Sequence, residues 1–141
     1  MPPTFDCSSP LHPNALLGLQ HFNKGEYFEA HEELETAWRA EDGEIRDLYQ
    51  GILQAAVTYL HIKRANYAGA IKVYRRSQKW LTKWPDVCRG VDVARLRGDL
   101  DAAIAEVRRL GPERLGEFDL GLLKPVTADG LRRSGKTDGS G

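Results

Sequence analysis

A chain of 141 residues with 41% hydrophobic and 28% charged residues has the size and balance of one ordinary globular domain, which excludes a fibrous or wholly disordered protein. Its 20 basic and 20 acidic residues cancel, but they are unevenly spread along the chain. The start, Met1 to Pro10, has neither the basic opening nor the apolar stretch of a secretory leader. The most apolar stretch, Leu48 to Ile62, is interrupted by Gln50, Gln54, Thr58 and His61 and is too short for the ~20 residues a membrane span needs. These features predict a cytoplasmic protein with no membrane contact, and Cys7 and Cys88 are then expected to be two incidental thiols.

Pro13 suits the first turn of a helix, and Leu16, Leu17, Leu19 and Phe22 recur at helical spacing before Gly25, which predicts α1 over 13–24. Tyr27, Ala30, Leu34, Ala37 and Trp38 form one stripe and predict α2 over 27–40. Asp42-Gly43 breaks the chain, with Asp42 the expected N-cap of α3 over 44–64. Apolar residues lie on both sides of α3: Leu48, Ile52, Ala55, Tyr59 and Ile62 on one, Tyr49, Leu53, Ala56 and Leu60 on the other. That pattern marks a central, buried helix. Asn66 is a good N-cap for α4 over 67–83, which turns Ala70, Ile71, Tyr74 and Leu81 inward and ends at Pro85. Val93, Leu96, Leu100, Ala103, Ile104, Val107 and Leu110 keep one phase and predict α5 over 93–110, with Gly98 inside it. Residues 117–123 read as a segment lying on the body.

The turn Gly25-Glu26-Tyr27-Phe28-Glu29-Ala30 returns forty residues later as Ala65-Asn66-Tyr67-Ala68-Gly69-Ala70. Both copies place an aromatic at a turn and small residues where two helices cross, the packing logic of tetratricopeptide-type hairpins. The reading is therefore an all-α, compact antiparallel bundle: two stacked helix-turn-helix units, α1–α2 and α3–α4, with α5 closing them. Residues 1–12 form an N-terminal extension, 13–125 the single domain, and 126–141 a polar tail expected to be disordered.

His31-Glu32-Glu33-Leu34-Glu35 on α2 is the densest chemical cluster. His31 and Glu35, one turn apart, can reach a common ion, but the second histidine of an HExxH site is missing. On α3, Gln50, Gln54 and His61 form a polar line that Glu32 or Glu35 meets if α2 and α3 pack together. A hydrogen-bonded network fixing the register is preferred to a ligand pocket, and the pocket to catalysis. Of the tryptophans, Trp38 and Trp80 read as core or dimer residues and Trp84 as a partner contact. There is no GxGxxG or GxSxG sequence, hence no support for dinucleotide-binding or serine-hydrolase classes. Residues 1–60 carry 3 Lys/Arg against 10 Asp/Glu, and residues 61–141 carry 17 against 10. Attraction between these halves, within the fold or across a homo-oligomer, is preferred to a nucleic-acid face, because no basic run is interleaved with aromatics.

The stretch from Phe22 to Trp38, with Tyr49-Gln50-Gly51-Ile52-Leu53-Gln54-Ala55-Ala56-Val57, His61, Asn66, Gly69-Ala70 and Gly90-Val91-Asp92-Val93, resembles a family of small bacterial proteins known as domain of unknown function 309. The resemblance implies a helical bundle, supplies no reaction, and marks Glu29, His31, Glu32, Glu35, Gln54, His61 and Asn66 as signature polar positions. The leading expectation is a non-catalytic module that binds a protein partner or small ligand between α2 and α3 and needs no cofactor. The alternatives are a metal-dependent hydrolase holding a divalent ion with His31, Glu32, Glu35 and His61, and a nucleic-acid binder using the basic second half.

Overall fold

The computed structural model describes residues 7–129 and 131. Its helices are α1 (Pro13–Asn23), α2 (Tyr27–Ala40), α3 (Arg46–Lys63), α4 (Tyr67–Leu81) and α5 (Val93–Arg114). Two two-residue strands, β1 (Val87–Cys88) and β2 (Val91–Asp92), pair antiparallel between α4 and α5. Among the described residues, no helix is long and apolar enough to cross a membrane.

The two turns are built alike, as the forty-residue repeat predicts. Gly25 has φ +79° and Ala65 has φ +55°, so both helices end in a left-handed residue. The Glu26 amide donates to the His21 carbonyl at 2.9 Å, and the Asn66 amide to the His61 carbonyl at 2.8 Å. This six-to-one bond satisfies carbonyls the helix end would leave open. Asn66 then caps α4, its Oδ1 accepting from the Gly69 amide at 3.0 Å.

Close helix crossings follow from small residues. A Cβ added to Gly18 would stand 2.8 Å from Leu34 Cγ, and one added to Gly51 would stand 2.7 Å from Leu81 Cδ2. α3 lies between α2 and α4, and Leu48, Tyr49, Ile52, Ala55, Ala56 and Tyr59 along it are all 0% exposed. The seven positions read on α5, from Val93 to Leu110, are the seven it buries.

Several expectations are corrected. Cys7 and Cys88 form a disulfide across 81 residues. A pair so distant in sequence carries no local signal, which is why two separate thiols were expected. α3 begins at Arg46 rather than 44, and Ile45, not Asp42, precedes it. The amides of Arg46, Asp47 and Leu48 donate to carbonyls three residues back, so a tighter turn serves the entry without a side-chain cap. The first run of α5 stops where Gly111 takes φ +76°, and Pro112 starts one further turn to Arg114. Trp84 is 3% exposed and belongs to the core, because the hairpin and α5 cover the end of α4.

The described chain stays attached beyond position 126, where the tail was expected to begin. Val126 is 2% and Ala128 1% exposed. Asn23 holds the Val126 backbone from both sides, donating to its carbonyl at 2.9 Å and accepting from its amide at 2.7 Å. Ala128 bridges to Val91. The remainder of the expected tail, residue 130 and residues 132–141, lies outside the described residues, as do residues 1–6 of the extension.

Candidate functional site

The seven signature positions lie on α2, on α3 and at the turn before α4. On α2, Glu29 and Glu32 are exposed, and Glu35 faces Arg39 at 3.7 Å. His31 is half-buried, stacked on the exposed Phe28 ring with centroids 6.2 Å apart. Its Nδ1 is buried with no hydrogen-bond partner among the described residues. On α3, the Gln54 carbonyl accepts from the Thr58 hydroxyl at 2.8 Å. His61 finds its mate in its own turn, Nδ1 lying 3.2 Å from Asn66 Nδ2. Burial and, secondarily, the neighbouring Arg64 cation lower the His61 pKa from 6.5.

His61 thus pairs with Asn66, and no hydrogen bond or ion pair among the described residues joins His31, Glu32 or Glu35 to Gln54 or His61. The expected inter-helix polar network is absent from the described contacts. Among the described residues, no three His, Cys, Asp or Glu side chains are grouped so as to hold a metal ion.

Two other places are built. At the hairpin turn, Arg89 and Gly90 take φ +51° and +80°, a pair of left-handed residues that suits a two-residue hairpin but rarely includes arginine. The Arg89 side chain, 6% exposed, reaches across the fold. Its Nη1 donates to Tyr49 Oη at 3.2 Å, to Glu41 Oε2 at 3.4 Å and to the Pro10 carbonyl at 3.4 Å. Tyr49 Oη also accepts from the His12 amide at 2.9 Å. Arg89 borders a cavity of about 360 Å³ with Ser8, Ser9, Leu11, Leu16 and Asp129. Its charge there is already committed to Glu41, so this arrangement ties the N-terminal segment to α2 and α3. Neither Arg89 nor Glu41 stood out in the sequence, since a lone arginine in a turn resembles any solvated one.

The second place lies where α2 begins and α3 ends. Phe22, Tyr27 and Tyr59 pack ring against ring, with centroids 5.3 to 5.5 Å apart. Burial pushes the Tyr27 pKa up to about 12 and, with Asp99 nearby, raises that of Tyr59 as well. Over Tyr27 lies Lys63, its Nζ 5.6 Å from the ring centroid and donating to the Gly25 carbonyl at 3.1 Å. Here the surface forms a half-open cavity of about 260 Å³, walled also by Lys24, Leu120, Leu123 and Pro125. Its two charged lining residues are both lysines. An ammonium carries three donors and Lys63 uses one here, so two N–H groups remain for an anion. The C-terminal segment closes the wall, and Asn23 anchors it there through Val126.

Residues 16–73 match the model of a family described as Domain of unknown function (DUF309). The matched stretch runs from within α1 into α4 and therefore spans both hairpins. An uncharacterized protein of Aquifex aeolicus (strain VF5) is 27% identical over 84 residues, 59% of this chain. The chain spans about a quarter (25%) of that relative's length. The family likeness read in the sequence is thus shown for the two hairpins; its description names no reaction.

Proposed function

We propose that this chain is a non-catalytic helical module of tetratricopeptide-like build that binds a small anionic ligand with an apolar body between the start of α2 and the end of α3. The observation that carries this reading is the cavity of about 260 Å³ whose only charged lining residues are Lys24 and Lys63. An anion placed there meets two cations and no opposing carboxylate, while Tyr27, Leu120 and Leu123 offer apolar surface. Small-molecule sites are concavities in which a few placed polar groups fix the ligand's orientation, the part the two ammonium groups would play here. The larger cavity beside Arg89 is less suited, because its cation is paired with Glu41 and Asp129 stands on its wall.

Calorimetric titration with sodium benzoate, an aromatic carboxylate that fits this description, tests the reading. Binding that is lost in Lys63→Met and retained in Glu35→Gln is expected. Absence of binding at millimolar benzoate, or equal binding by Lys63→Met, would overturn it.

A further inference from the structure

Between Asp47 and Asp86 the sequence contains no acidic residue, yet residues 63–83 hold seven lysines and arginines. Four of these, Lys72, Arg75, Arg76 and Lys79, lie on α4 at spacings i, i+3, i+4 and i+7, which put them on one face. All four are exposed. Along the helix axis they span ~10 Å at 1.5 Å per residue.

Elsewhere the fold pairs many of its cations. On and beside α5, Arg95 faces Asp99, Arg97 faces Asp86, Arg109 faces Glu106 and Arg114 faces Glu117. The two halves of the chain meet through Lys83–Asp47 and Arg89–Glu41. None of those pairs includes Lys72, Arg75, Arg76 or Lys79, and no ion pair among the described residues does. Attraction between the acidic and basic halves therefore does not account for the charge on α4. Lys79 instead rests over the half-exposed Trp80, its Nζ 4.9 Å from the ring centroid, and Tyr67 at the start of α4 is half-exposed as well.

We propose that the solvent face of α4 binds the phosphodiester backbone of a nucleic acid. A regular row of cations with no carboxylate among them matches a polymer with evenly spaced negative charge, because each neutralised phosphate releases condensed counterions. Arg75 and Arg76 add the planar forks that hold phosphate oxygens two at a time. A second copy of the chain offers a poorer match: its exposed acidic residues are dispersed, among them Glu29, Glu32, Asp42 and Glu44 over α2 and the turn after it and Asp101, Glu113, Glu117 and Asp119 over α5 and the segment beyond, and no four of them lie on one helix face.

Fluorescence anisotropy of a short labelled DNA duplex, measured across a salt series, tests this proposal. For four phosphate contacts, log K should fall against log salt with a slope of about −3.6, and Arg75→Gln/Arg76→Gln should halve it to about −1.8. Both changes are on the surface, and unchanged circular dichroism establishes that the variant is folded. Lys63→Met should leave duplex binding unchanged, which separates this face from the cavity proposed above. Four results would each overturn the proposal: no anisotropy change at low salt, a slope indifferent to the double substitution, equal competition by poly-glutamate, or concentration-dependent self-association abolished by the same substitution.

Discussion

Reduction of the Cys7–Cys88 bond offers a quantitative test of how the chain termini are held. The bond joins residues 81 positions apart, and the chain-entropy relation for a loop of that length gives about 4.5 kcal/mol at 25 °C. Much of the N-terminal segment depends on the same region: the Arg89 amide donates to the Cys7 carbonyl at 2.8 Å, and Arg89 reaches Pro10 and Tyr49. The helices, by contrast, bury their own core, with Leu19, Leu34, Ile52, Tyr59 and Leu100 all 0% exposed. Reduced protein should therefore remain helical while losing about 4 kcal/mol of the ~5–15 kcal/mol typical of a folded domain. Urea unfolding followed by circular dichroism, with and without a phosphine reductant, measures the difference. Cys7→Ser should give the same loss without reductant. A change below about 1 kcal/mol would refute the reasoning, by showing that the unfolded chain gains little freedom when the link is cut.

Three further predictions concern the interior and the turns. Replacing Gly51 by Ala would bring a Cβ within 2.7 Å of Leu81 Cδ2 and 3.2 Å of Trp80 Cβ and should cost about 1–3 kcal/mol. At Gly98, where nothing lies within 4 Å, the same change should add about 1 kcal/mol; urea midpoints of the two variants give the comparison. Arg89→Met should cost about 2–4 kcal/mol, because it leaves the Glu41 carboxylate without its cation and removes one of the two donors to Tyr49 Oη. A double-mutant cycle with Glu41→Gln measures how much of that loss belongs to the pair. The His61 pKa lies below 6.5 in the folded chain, so the unfolded state binds more protons below neutrality. Its contribution to stability is present above pH 6.5 and is lost as the pH falls through the lowered pKa. His61→Gln should flatten that acid-side decline in thermal scans.

The periodic parts of the molecule were legible before the structure. The stripe of α5 was read to the residue, and α2 kept its expected ends, because a single apolar face sets both the phase and the length of a helix. Gly25 and Ala65 show the repeat carrying backbone geometry: the second copy lacks glycine, yet Ala65 takes the same left-handed turn. What escaped was long-range. The Cys7–Cys88 link, the reach of Arg89 to Glu41, and the grip of Asn23 on Val126 join residues 81, 48 and 103 positions apart. The polar line on α3 shows the opposite limit. Spacing placed Gln54 and His61 on one helix correctly but could not show that His61 would turn to Asn66 instead of the α2 carboxylates. Lys63 went unremarked as a site residue because a lysine at a helix C-terminus is explained by the helix dipole alone.

The central claim is that ligand chemistry resides at the α2–α3 ends and not along the polar line. Mapping backbone amide shifts of the assigned protein during a benzoate titration tests it most directly. The account predicts perturbations confined to Phe22 through Tyr27, Lys63 and Leu120 through Pro125. Perturbations centred on His31, Glu35 and Gln54, with the lysine turn unchanged, would contradict it.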